Sequence, residues 1–138
     1  QFQATMRGVV NGISVQTRPD ILFPGAKWFR DLKYVGSNSM NGFARSFVGS
    51  RYFIQAALFA GLTDFEYRVS FLLVESGTMA PRIKDIEVPE RVLRAGWRRI
   101  EAICQEIKAV EDSPMGFNEV PTFSVLDLPA WAEKEIDA

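Results

Sequence analysis

No histidine occurs among the 138 residues, and there is a single cysteine, Cys104. Without imidazole, acid–base or metal chemistry in this chain falls to carboxylates, amines and backbone oxygens. One cysteine excludes an internal disulfide and fits a reducing compartment. Long apolar runs are also missing, and nothing approaches the ~20 residues needed to span a bilayer. There is no signal-peptide pattern, low-complexity stretch or internal repeat. Charge of one sign is missing too: 16 basic and 17 acidic residues leave a net charge of −1. A nucleic-acid partner would therefore have to be held by local clusters rather than by a global field. The chain begins at Gln1, without an initiator methionine, and enters strand-like sequence at once. It reads as a piece of a longer protein, or as a processed or incompletely sampled one. What is present is a hydrophobic fraction of 47%, enough over residues 1–138 for a single domain with a core of its own.

Two β-prone runs flank Asn11-Gly12, and this pair predicts a hairpin whose two turn residues take positive φ. The second run ends at Pro19, which cannot donate to a ladder, so Asp20 is expected to close that strand. "FPGAK" at 23–27 predicts a turn and "WFRDLKYV" at 28–35 a strand. Residues 40–49, capped by Asn38 or Ser39, and 51–62, stopped at Gly61, predict two helices. Strands follow at 65–76 and over "RIKDIEVP", with Ile83, Ile86 and Val88 as candidate inward positions. The longest helix is expected over 89–112, with an apolar stripe of Val92, Trp97, Ile100, Ile103, Ile107 and Val110. The tail reads as extended and then helical from about Pro129, with Asp127 as N-cap. This order predicts an α/β (α+β-like) layer architecture, a mixed sheet with helices packed on it.

The chemistry-bearing residues lie early. Period-two alternation puts Asp31 and Lys33 on one face of the 28–35 strand. If the strand ending at Asp20 is its neighbour, across a 21–27 connection, Asp20 and Asp31 converge. Two carboxylates and a backbone carbonyl can hold Mg²⁺ or Mn²⁺, with water completing the shell. Such an ion clamps a scissile phosphate, and a nearby lysine offsets developing negative charge. Taken alone, Asp-x-Lys is equally an i,i+2 surface ion pair worth ~0–1 kcal/mol.

The wider pattern decides between them. Arg18-Pro19-Asp20, a turn and an aromatic strand ending Asp31-Leu32-Lys33 resemble the core of the PD-(D/E)xK nuclease superfamily. More narrowly the chain resembles the exonuclease VIII (RecE-type) C-terminal nuclease domain, lacking its N-terminal part. "SRYFIQAALFAGL", "YRVSFLLVES", the 89–112 helix and "LDLPAWAEKE" fall in that family's order, so the resemblance runs from about Arg18 to Glu135. It implies a restriction-endonuclease-like mixed central sheet flanked by helices. It implies Asp20 and Asp31 as metal-binding carboxylates, Leu32 as the carbonyl donor, Lys33 as the catalytic lysine and Gln55 as the glutamine of a Gln-xxx-Tyr motif beside the site. Arg51 and Tyr52 match positions expected near DNA. Three departures stand out: Phe59 replaces the motif tyrosine, Phe53 replaces a histidine, and the family's upstream histidine or glutamate ligand has no counterpart.

The activity so implied is that of a Mg²⁺- or Mn²⁺-dependent 5′–3′ exonuclease on ends of linear double-stranded DNA. Its setting would be phage or prophage recombination, in the cytoplasm of a bacterial or phage-infected cell. The implied partners are DNA ends, a single-strand annealing protein and further copies of the chain, with no membrane. Two rivals share the fold: a RecB-like endonuclease, and a catalytically incomplete module that only binds DNA or a partner. Elsewhere the bland readings hold. Arg91, Arg94, Arg98 and Arg99 make a basic side of the long helix, read as a solvated face with a DNA-backbone stripe as the alternative. Phe43, Phe47, Trp97 and Trp131 read as core or interface, Cys104 as a small buried hydrophobe, and Glu75 as a strand-end residue within reach of the site.

Overall fold

A computed structural model describes residues 3–36, 39–75, 80 and 82–114 of the chain. The hairpin forms as its turn dictates. β1 (Met6–Val10) and β2 (Ile13–Thr17) pair antiparallel around Asn11 and Gly12, whose φ values are 48° and 79°. Both angles lie in the left-handed region that a two-residue hairpin turn requires. The Asn11 side chain donates to the Glu101 carbonyl at 2.9 Å, tying the turn to the last helix.

The hairpin is a sheet of its own, beside the mixed sheet that the element order predicts. The second sheet has four strands in the order β3 (Ile21–Phe23), β4 (Trp28–Val35), β5 (Arg68–Glu75), β6 (Ile83–Glu87). β4 and β5 run parallel, and both outer pairs are antiparallel. β3 falls within the segment expected to be a plain connection. Three residues are too few for alternation to register, and pairing with β4 makes them a strand. β2 ends at Thr17, so Asp20 opens the approach to β3 rather than closing β2.

The parallel step from β4 to β5 needs a crossover, and two helices supply it: α1 (Met40–Gly49) and α2 (Tyr52–Gly61). Ser39 caps α1, its side chain accepting from the Gly42 N–H at 3.1 Å. α2 stops at Gly61 as expected, but for another reason. The left-handed residues are Asp64 and Phe65, with φ of 50° and 61°. Gly61 is instead the point where the Trp97 indole lies against the helix, leaving no room for a side chain.

α3 (Glu90–Glu111) completes the fold. Its buried residues are Leu93, Gly96, Ile100 and Cys104, whereas Ile103, Ile107 and Val110 are exposed. The expected stripe is therefore rotated, because α2 packs where Gly96 permits close approach. Ile83 also faces solvent, since the register pairs it with Val74 and leaves Lys84 and Ile86 on the other face. Phe29, Val69, Phe71 and Leu73 of the sheet pack against Phe43 of α1, Ala56 and Phe59 of α2 and Leu93 of α3. A smaller cluster joins the hairpin's Val10 to Ala57, Ile100 and Cys104. The expected tail helix, Asp127 and the "LDLPAWAEKE" segment lie outside the described residues. Among the described residues no helix is long and apolar enough to cross a membrane.

A Cβ on Gly96 would lie 2.6 Å from the Ala57 Cβ and 2.8 Å from the Phe53 carbonyl oxygen. The second neighbour is backbone and cannot rotate away. Gly96→Ala is therefore expected to lower stability by about 1–3 kcal/mol through overpacking, although alanine is the better helix former by ~1 kcal/mol. A urea titration reads the difference, and a midpoint at or above that of the unaltered protein would contradict the close α2–α3 contact.

Candidate active site

The polar residues of the β3–β4 region converge where β3 begins. β3 pairs only as far as Ile21 with Arg30, so the β4 edge beyond Arg30 is left for Asp20. The Asp20 Oδ2 accepts the Leu32 N–H at 2.8 Å, and the Asp20 carbonyl accepts from the Gln3 N–H at 2.9 Å. Within a strand the N–H and C=O of one residue leave on the same edge. The Leu32 carbonyl therefore leaves β4 on the side where Asp20 sits.

Asp31 is 3% exposed, and its Oδ2 lies 2.6 Å from the Lys33 Nζ. That oxygen is fully buried, and the Lys33 ammonium is the charge that faces it. Burial pushes the Asp31 carboxyl above the usual carboxylate range; Lys33 opposes that shift and the nearby Asp20 carboxylate adds to it. The opposition of two carboxylates is the electrostatic mark of their convergence.

Lys33 is walled by aromatic rings. Its Nζ stands 4.6 Å from the Tyr52 ring centroid and 5.8 Å from that of Phe71. Such contacts favour a cation, and they fix the ammonium beside Asp31. Tyr52, expected near DNA, is found as a wall for Lys33. The role of Phe71 went unread in the sequence, where it is one apolar residue in a buried strand; the signal was the parallel register that sets it beside Asp31.

Gln55 and Arg51 face a neighbouring space. Both line a cavity of about 630 Å³ whose walls include neither Asp31 nor Lys33. Phe59, at the tyrosine position of the expected motif, is fully buried in the core. Glu75 pairs in register with Val35, on the face that carries Asp31 and Lys33 but at the far end of the strand.

Asp20, Asp31 and the Leu32 carbonyl form an all-oxygen donor set, in which the Asp31 Oδ2 is buried and faces the Lys33 ammonium. These donors fit a small hard cation such as Mg²⁺, which commonly takes one or two carboxylates and keeps several waters. Among the described residues there is no cluster of three or more histidine, cysteine or acidic side chains.

The fold and this constellation define a mixed α/β protein with a paired-carboxylate and lysine centre at the edge of a four-stranded sheet. The same fold occurs in the crystal structure of a "Putative exonuclease" from Eubacterium rectale, with a TM-score of 0.62 and 19% sequence identity over 92% of this chain. This chain spans 55% of that neighbour's length. No family model matches the sequence. No curated protein matches it either.

Proposed function

We propose that this chain carries the catalytic strands of a metal-dependent deoxyribonuclease, a 5′–3′ exonuclease acting on ends of linear double-stranded DNA. The observation that supports it best is the meeting of Asp20 and Asp31 around Leu32, with the Lys33 Nζ 2.6 Å from Asp31. The exonuclease description of the structural neighbour agrees with this reading. The sequence resemblance narrows it to a RecE-type enzyme of phage or prophage recombination, assembled from several copies and working beside a single-strand annealing protein.

Asp20, Asp31 and the Leu32 carbonyl would hold Mg²⁺ or Mn²⁺, which supplies charge neutralisation at the scissile phosphate and a more acidic water. The protein's own part is positional. The Leu32 N–H fixes Asp20, the sheet core fixes Asp31, and Tyr52 and Phe71 hold the Lys33 ammonium where an anionic phosphate oxygen would accept from it. Removing such a donor costs about 10²–10³ in rate.

The test is digestion of end-labelled linear duplex in Mg²⁺ or Mn²⁺, with EDTA and closed circular DNA as controls. Loss of the linear substrate is expected in either metal and not in EDTA, with closed circles spared. Lys33→Ala is expected to slow it by about 10²–10³, and Asp31→Ala to abolish it. Cutting of closed circles would replace the exonuclease reading with a RecB-like endonuclease.

A second reading, a module of this fold that binds DNA or a partner without cutting, is favoured by two observations. Phe59 is core rather than a hydroxyl donor, and among the described residues no third acidic ligand joins Asp20 and Asp31. DNA binding that survives Asp31→Ala, with no digestion in any metal, would establish it.

A further inference from the structure

The cavity of about 630 Å³ between β2, α2 and α3 is lined by Arg51, Arg99, Gln55 and Thr17 over an apolar floor that includes Phe53 and Leu58. No acidic residue lines it, and among the described residues neither arginine has a carboxylate partner. Two guanidiniums without counter-charge, an amide, a hydroxyl and an aromatic floor are complementary to phosphodiester oxygens and an unstacked base. A stacked duplex offers phosphates but keeps its base faces covered. The cavity is one residue from the candidate active site: Arg51 and Phe53 line it, and Tyr52 between them contacts Lys33.

We infer that this cavity is a second nucleic-acid site, in which Arg51 and Arg99 hold the backbone of a single-stranded segment while Phe53 and Leu58 receive a base. The inference rests on the nuclease reading and deepens it: the substrate reaches both sites across the first turn of α2, which requires an unpaired stretch beside the scissile position. Arg99 thereby leaves the solvated basic side of α3 for a definite task. Its neighbour Arg98 is exposed like Arg99 but does not line the cavity, so it is the built-in control.

The experiment is fluorescence anisotropy of the full chain in EDTA, with a fluorescein-labelled oligothymidylate and a duplex of equal length, as salt is raised. Arg99→Gln and Arg51→Gln are each expected to weaken single-strand binding about fivefold near 0.1 M salt and to reduce the log–log salt slope by about 0.7. Arg98→Gln is expected to stay within about twofold, and duplex affinity to fall less than single-strand affinity in both cavity variants. Equal losses in Arg98→Gln and Arg99→Gln, or unchanged affinity in both cavity variants, would overturn the site. Equal losses on duplex and single strand would overturn the single-strand assignment. The digestion assay on the same preparations separates the two claims. Cleavage by the unaltered protein with normal binding by Arg99→Gln sinks the cavity alone. Arg99-dependent binding without any cleavage sinks the nuclease reading alone.

Discussion

Asp31→Asn is expected to stabilise the fold while removing its activity. Digestion should fall by at least about 10²–10³, because the neutral amide loses the charge that a cation and Lys33 both require. Stability should move the other way. Asp31 is 3% exposed, and burial raises its pKa even against the attraction of Lys33. A carboxyl whose folded pKa is raised is more stable in the fold when protonated. Its stabilising contribution is complete below the ordinary carboxylate range and is lost as pH rises through the folded value. As pH rises through the folded value the fold takes on the cost of an ionised Asp31, and asparagine removes it. The loss of the Lys33 pairing opposes that gain and is expected to be the smaller of the two, because burial is the larger influence on the Asp31 carboxyl. Single stabilising substitutions commonly gain about 0.5–2 kcal/mol. Thermal unfolding in EDTA should give a higher Tm for Asp31→Asn at pH 7.5, with the difference shrinking toward pH 4. A lower Tm at pH 7.5 would mean that the ion pair outweighs the burial.

How far the sequence carried the reading depends on the range of each signal. Asn11-Gly12 specifies its turn locally, and the 28–35 and 40–49 elements emerge with the bounds their patterns predict. Asp31 and Lys33 share a face because alternation within one strand requires it. The approach of Asp20 was expected through a neighbouring strand ending there, and it comes about through β3, which exists only by pairing with β4. The α3 stripe was misplaced for a related reason. Periodicity shows that a helix has an apolar side, and Ile100 and Cys104 are buried as expected, but Ile103, Ile107 and Val110 are exposed because α2 approaches at Gly96. Ile83 differs in parity from Ile86 and Val88, and the β5–β6 register turns it to solvent. Gln55 and Arg51 were placed by resemblance. The fold gathers them with Arg99, whose place in the cavity depends on α2–α3 packing that no local pattern encodes.

Phe71→Ala is expected to have the largest effect on stability, about 3–5 kcal/mol. The side chain is fully buried on β5, between Asp31 on β4 and Ile86 on β6. Its ring lies 5.8 Å from that of Phe47, 5.9 Å from Tyr52 and 6.0 Å from Phe43, so it joins both crossover helices to the sheet. Domains of this size are stable by only about 5–15 kcal/mol, so the variant should unfold at a much lower urea concentration. The same ring stands 5.8 Å from the Lys33 Nζ, so the core and the candidate site share a wall. Phe71→Leu separates the two roles, because it keeps apolar volume and loses the aromatic face. It should remain folded, with a smaller stability loss than Phe71→Ala, and digest linear duplex more slowly through kcat with KM little changed. Asp31→Asn and Phe71→Leu would then mark opposite relations between site and scaffold, one residue weakening the fold for the sake of charge and the other supporting both. Full activity in Phe71→Leu would leave Tyr52 and Asp31 as sufficient to hold the ammonium, and a cost below about 2 kcal/mol for Phe71→Ala would contradict its place at the centre of the core.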